Sequence, residues 1–117
     1  MNLHARYLRE SLGHELYQDP EGRGFLTYGF DCIPGVDFPH CYIVDIYVVP
    51  EHRKNHVAAN MADHVAGLAK RFGKKVLFGS VCGTGKDPDR SMRVLMAYGM
   101  KFYALGDNVM YFAKGLN

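Results

Sequence analysis

Apolar positions along the chain switch between helical and strand spacing, and the switches set out an order of elements. From Asn2 to Leu12, the residues Leu3, Tyr7, Leu8 and Leu12 fall on one helical face, with Gly13 as a stop. His14 to Gln18 either extends that helix or begins a strand, and Asp19-Pro20-Glu21-Gly22 then turns the chain. A strand follows over Gly24 to Asp31, and Pro34-Gly35 and Pro39 mark a surface loop. Tyr42 to Val49 is β-branched and aromatic almost throughout, which predicts a central strand. Val57, Met61, Val65, Leu68 and Phe72 recur at three and four residue steps up to Gly73, predicting a helix. Ala58, Ala62, Ala66 and Ala69 run beside that stripe and let the helix lie close to a sheet. Val76 to Val81 reads as a strand. Asp87 caps a helix opened by Pro88, whose Met92, Leu95 and Met96 face inward until Gly99. Phe102 to Leu105 and Val109 to Ala113 pair as a hairpin across Gly106-Asp107-Asn108. The order predicts an α+β fold, a mixed sheet with helices on its faces.

Length and composition narrow the picture. A chain of 117 residues has room for one core, so residues 1–117 are expected to form a single domain. The net charge of +2, with no concentrated basic run, argues against a nucleic-acid surface. No stretch approaches the ~20 apolar residues of a membrane span, and the opening MNLHARYLRE is too polar for a secretory signal. The expected compartment is the cytoplasm. Cys32, Cys41 and Cys82 are odd in number and form no CxxC pair, so reduced thiols are expected, with Cys82 a buried structural one. His52 and His56 are four apart, but His52 precedes the helix, so no metal site is expected.

Candidate chemistry begins where the strong strand meets the long helix, over Val48 to Ala58. Unpaired backbone amides at a helix N-terminus, with Arg53 and Lys54 alongside, form a place for an anion, and for phosphate in particular.

Tyr47-Val48-Val49-Pro50-Glu51-His52-Arg53 resembles the first half of the signature of the GCN5-related N-acetyltransferase (GNAT) superfamily, a hydrophobic strand ending in V-x-P-E-x-R. The second half, R-x-x-G-x-A, corresponds to Arg53 through Ala58, with His56 at the usual Gly. Ser91 to Met100 (SMRVLMAYGM) is similar to the superfamily's S-x-x-x-Y-x-x-x-G-F, with Leu95 at the usual Tyr. The resemblance covers roughly Cys41 to Leu116 and implies a mainly antiparallel central sheet with helices on both faces and a shortened N-terminal part. It implies that the backbone of Val48 and Val49 holds the pantetheine arm of acetyl-CoA. Arg53, Lys54, Asn55, His56, Val57 and Ala58 would then turn their amides to the pyrophosphate.

Direct acetyl transfer to an amine needs a base for the ammonium and an acid for the leaving thiolate. Strict alternation groups Asp45 with Ile43, Tyr47 and Val49, opposite Val44, Ile46 and Val48, and Asp45 is the candidate base. Tyr98, three residues beyond Leu95, is the candidate acid. The expected function is acetyl-CoA-dependent N-acetyl transfer to a small-molecule or peptide amine. The alternative is a non-catalytic protein that keeps the scaffold to bind CoA or a partner. A homodimer is expected, with Met110, Tyr111 and Phe112 as the shared surface.

Overall fold

The computed structural model describes residues 3–53, 55–83 and 87–116. Within them, α1 (Leu3–Leu12) leads into β1 (Glu15–Gln18), β2 (Gly24–Phe30) and β3 (His40–Val48). A single 3₁₀ turn at Pro50–His52 precedes α2 (Val57–Arg71). Then come β4 (Val76–Cys82), α3 (Pro88–Ala97), β5 (Lys101–Leu105) and β6 (Val109–Gly115). The six strands form one sheet in the order β1-β2-β3-β4-β6-β5. Every pair is antiparallel except β3 with β4.

Helices cover both faces of this sheet. Tyr17 of β1 stacks on His64 of α2 at 4.1 Å between ring centres, while His4 of α1 meets Phe25 of β2 at 6.1 Å. Tyr17 pairs with Leu26, so Phe25 and Leu26, adjacent in β2, point to opposite faces and bring α2 and α1 to opposite sides. The main core lies under α2 and α3. Val57, Met61, Val65 and Ala69 of α2 pack there on Leu26, Ile43, Leu77, Val81 and Phe112, with Met92 and Leu95 of α3 against them. Asp87 caps α3 by accepting the Arg90 amide at 3.1 Å, as the sequence led us to expect.

Five apolar positions depart from the stripes read in the sequence. Phe72 is 63% exposed, past the last turn of α2 at its C-cap, where it reaches only the rim ring of Phe30. Met96 is exposed on the outer side of α3. Among the four apolar positions read on α1, Leu8 is buried, while Leu3, Tyr7 and Leu12 face outward. Asp31, given to the strand by its sequence, leaves it in the left-handed region at φ 55°. There its carboxylate accepts from the His40 amide and pairs with Lys74, which holds it below the usual carboxylate range.

The loop after Asp31 is fastened by His40, which is fully buried. Its Nε2 lies 3.1 Å from the Ile33 amide and its Nδ1 lies 2.9 Å from the Phe38 carbonyl. One ring nitrogen therefore accepts and the other donates, which fixes a neutral imidazole. Cys41 is buried next to it, and burial pushes its thiol up to about 12.

Candidate functional site

The parallel pair β3–β4 has three rungs only, His40 to Val76, Cys41 to Leu77 and Tyr42 to Phe78. Beyond them β3 continues to Val48, paired on its other side with β2, and β4 continues to Cys82, paired with β6. Two strands that start side by side thus diverge, leaving a cleft between them whose closed end is at Tyr42 and Phe78.

At the open end the chain turns into α2. The Val48–Val49 peptide stands across β3: its N–H donates to the Arg23 carbonyl at 2.8 Å on the β2 side, so its carbonyl points into the cleft. That Val48 carbonyl accepts from Nε of Arg53 at 3.0 Å, and the Arg53 guanidinium lies 5.8 Å from the centre of the Tyr47 ring. Of the two residues singled out beside the cleft, Val48 therefore presents its carbonyl to it. Val49 does not present its backbone, because its own carbonyl also accepts from His52 in the 3₁₀ turn.

His56 is the N-cap of α2 at φ 61° and ψ 17°, a left-handed conformation, and its side chain caps nothing. The first helical bond runs from the Asn60 amide to the His56 carbonyl at 2.9 Å. The amides of Val57, Ala58 and Ala59 precede it and have no partner within the helix. Of the residues expected to turn their amides to phosphate, Val57 and Ala58 bring theirs to this helix start beside His56, whereas the Arg53 and Asn55 amides donate to the Pro50 and His52 carbonyls at 3.3 and 3.4 Å, and Lys54 lies outside the described residues.

Asp45 lies on the part of β3 that has left β4, and it is exposed. The expected grouping of Asp45 with Ile43 does not hold. The register with β2 jumps from Thr27–Asp45 to Tyr28–Ile43, so Val44 is the extra residue of a β-bulge. Ile43, Ile46 and Val48 all reach the core under α2, and Asp45 turns to the opposite face beside Thr27. Thr27 is buried, and its Oγ1 has no hydrogen-bond partner.

Tyr98 does not face the cleft. It is the C-cap of α3, and its hydroxyl donates to Asp63 of α2 at 2.7 Å. Lys114 lies 4.0 Å from its ring centre and donates to its carbonyl at 3.0 Å. Lys114 pairs with Leu77, so Tyr98 sits at the closed, fully paired end. Burial, with the Asp63 carboxylate beside it, raises the ionisation of its hydroxyl. Leu95, the residue at the superfamily's tyrosine position, lies over Gly79, where a built Cβ would come within 3.1 Å of its methyl. The α3 side of the cleft floor is therefore hydrocarbon. Cys82, expected to be buried, is exposed at the end of β4.

Two groups that shape the cleft were not singled out in the sequence. Asp19 accepts from Arg23 Nε at 2.8 Å and from a second guanidinium nitrogen at 2.9 Å, which lowers its carboxyl to about 2. This clamp holds the Arg23 carbonyl that fixes the Val48–Val49 peptide. Next to it, Gly24 admits the Tyr47 carbonyl so closely that a Cβ would stand 2.3 Å from it. The second group is a pair of hydroxyls, Tyr42 and Ser80, 2.6 Å apart. The turn composition around Asp19 was a signal for the first; nothing local signals the second, since its members are separated by 38 positions.

Comparison with known proteins follows this geometry. A family model described as the acetyltransferase (GNAT) family matches residues 15–99. No curated protein matches the chain. Among solved structures, a GNAT-family protein from Desulfovibrio desulfuricans superposes with TM-score 0.73 at 16% identity, covering 96% of this chain and 76% of that one. A Bacillus subtilis acetyltransferase in complex with CoA gives 0.67 at 14% identity, covering 96% and 84%. An aminoglycoside 6'-N-acetyltransferase complexed with coenzyme A gives 0.64 at 11% identity, covering 92% and 76%. No helix among the described residues is long and apolar enough to cross a membrane.

Proposed function

The chain belongs to the acetyltransferase (GNAT) family, and from that premise we propose that it transfers an acetyl group from acetyl-CoA directly to an amine of a small molecule or peptide. One observation carries this reading: β3 and β4 part after three rungs, and the strand that leaves runs through a single turn into a helix start whose Val57, Ala58 and Ala59 amides have no partner within the helix.

In this reading the pantetheine arm lies in the cleft, with its amides on the open side of β3 at Val48. Arg53 has to release the Val48 carbonyl as the arm enters, which frees the guanidinium for the pyrophosphate at the helix start. Lys54, Asn55, His56, Val57 and Ala58 complete that phosphate site. The CoA seen in two of the structural neighbours supports acetyl-CoA as the cosubstrate. The aminoglycoside enzyme among them supports a small-molecule amine as acceptor. Asp45 takes the proton from the ammonium in this reading, a role supported by its exposure on the face of β3 that α2 leaves uncovered.

Residues 1–117 act as one acetyltransferase domain in the cytoplasm, where Cys32, Cys41 and Cys82, none of them in a disulfide, stay reduced. The protein is a homodimer in this reading, but the surface differs from the one expected. β6 is an interior strand with Phe112 buried, whereas β5 is the sheet edge and exposes Phe102, Tyr103 and Leu105. Light scattering at tens of micromolar that returns a monomer mass removes the dimer.

The test of function pairs calorimetry of CoA binding with CoA release from acetyl-CoA across a panel of amines and peptides. Replacing Arg53 and Lys54 together by Ala is expected to weaken CoA by about one to two decades. Unchanged affinity in the folded double variant rules out the site. Leu95 on the cleft floor favours a second reading, CoA binding without transfer, and tight binding with no release across the panel would establish it.

A further inference from the structure

We propose that the Tyr42–Ser80 hydroxyl pair is the proton donor to the leaving thiolate, reaching the cleft floor from the face opposite α3. This inference rests on the acetyl-transfer reading above.

Tyr42 belongs to the last rung of the β3–β4 pair, and Ser80 stands two residues beyond that rung's Phe78 on β4. Their 2.6 Å bond therefore spans the point at which the strands separate. Gly79 faces Leu95, so its neighbour Ser80 faces the other side of the sheet. Both residues are half-buried, and the Tyr111 ring, across from Ser80 on β6, lies 6.2 Å from that of Tyr42. Burial opposes ionisation of Tyr42, the Ser80 bond works against that, and the groups of Tyr111, Cys32 and Asp45 add smaller contributions in the direction of burial.

On the α3 side neither Leu95 nor Tyr98 can serve. Leu95 is hydrocarbon, and the Tyr98 hydroxyl is given to Asp63 at the closed end. With the phosphates held at the helix start beyond Val48, the thioester end of acetyl-CoA points down the cleft toward Tyr42 and Ser80.

The step balances as follows. Asp45 first takes the ammonium's proton and passes it to solvent; the neutral amine then adds its lone pair to the thioester carbonyl carbon, the carbonyl π pair moving to oxygen, and the adduct loses a second proton to Asp45, which offsets the one water later supplies. The C–S bond then breaks with its electron pair going to sulfur. Sulfur takes a proton from the hydroxyl nearer to it, that oxygen takes the proton of its partner across the 2.6 Å bond, and water reprotonates the partner. The products are the amide and CoA thiol, with the ammonium's extra proton released through Asp45 to solvent.

The test uses Tyr42→Phe, which keeps the ring, and Ser80→Ala, each confirmed folded by thermal melting. CoA itself is the probe: the ionisation of its bound thiol is followed by ultraviolet absorbance against pH. In the parent protein a donated hydrogen bond stabilises the thiolate, so the bound thiol ionises below free CoA. Each variant is expected to move it back up by about one pH unit. With acetyl-CoA and an accepted amine, kcat is expected to fall about 100-fold or more while KM for acetyl-CoA holds within about threefold. Unchanged thiol ionisation and unchanged kcat in both folded variants overturn the proposal. A drop in melting temperature and CoA affinity with no change in thiol ionisation also overturns it, by making the pair a strand tie. Failure of the parent protein to transfer acetyl to any amine removes the transferase reading instead. In that case the thiol titration still decides whether the pair contacts sulfur.

Discussion

His56 offers a way to separate backbone geometry from side-chain chemistry at the phosphate site. It holds a left-handed conformation at φ 61° immediately before α2, exposed and with no capping bond from its ring. An L residue in that region is strained by about 1–2 kcal/mol, and glycine is not. His56→Gly removes that strain and adds about 0.5–1 kcal/mol of chain entropy to the unfolded state. Taken at mid-range, the net expectation is a gain of about 0.8 kcal/mol, seen as a rise of about 3–4 °C in a thermal melt. His56→Ala keeps the Cβ and the strain while deleting the imidazole, so it should be about 1 kcal/mol less stable than the Gly variant. Because the amides of Val57, Ala58 and Ala59 are untouched by either change, calorimetry should find CoA affinity within about threefold of the parent for both. An Ala variant as stable as the Gly variant would refute the strain argument. A loss of about tenfold or more in both would show instead that the ring contacts phosphate.

Other consequences are as direct. Asp45→Asn should lower kcat/KM mainly below the acceptor's own pKa, where the amine needs deprotonating, with recovery at high pH and acetyl-CoA affinity intact; a pH profile parallel to the parent's would remove Asp45 from the chemistry. Tyr98→Phe should lose about 1 kcal/mol of stability with its bond to Asp63 and leave kcat unchanged; a clear fall in kcat would return Tyr98 to the mechanism. Asp19 is lowered to about 2 by Arg23, against ~3.9 unfolded, so its stabilisation is full above the unfolded value and is lost as pH falls through the folded one. Asp19→Asn should flatten stability in an acid titration between about pH 4 and 2, and an unaltered profile would show that the clamp contributes nothing.

Much of this arrangement was readable before any coordinates, because local physics carried it. The apolar stripe from Val57, the Asp87-Pro88 cap and the turn before α2 depend on neighbours within one or two helical turns, and they appear where they were expected. The left-handed geometry at His56 was likewise foreshadowed by its place at a position usually held by glycine. What stayed hidden depends on pairing between distant segments. The orientation of Asp45 turns on a bulge that only the β2 partner reveals, and Tyr98 is diverted by Asp63, 35 positions away. Phe72 and Met96 fit their stripes, but a stripe does not say where cover stops: Phe72 lies past the last turn of α2 and Met96 on the outer side of α3. Cys82 looked like core for the same reason: a strand's apolar run does not say where the sheet stops.

The extra residue Val44 works as a phase shifter in β3. On one side of it even-numbered positions face away from the core, as Tyr42 does, and on the other side even-numbered positions face inward, as Ile46 and Val48 do. Ironing out the bulge while keeping Val44 would restore strict alternation through it and force a choice: either Asp45 swings under α2, or Ile43 and Cys41 come out. The strand's carboxylate is thus tied to a residue count rather than to a contact. Any change on the acceptor side of this protein has to keep the bulge and its extra residue together, or lose both together.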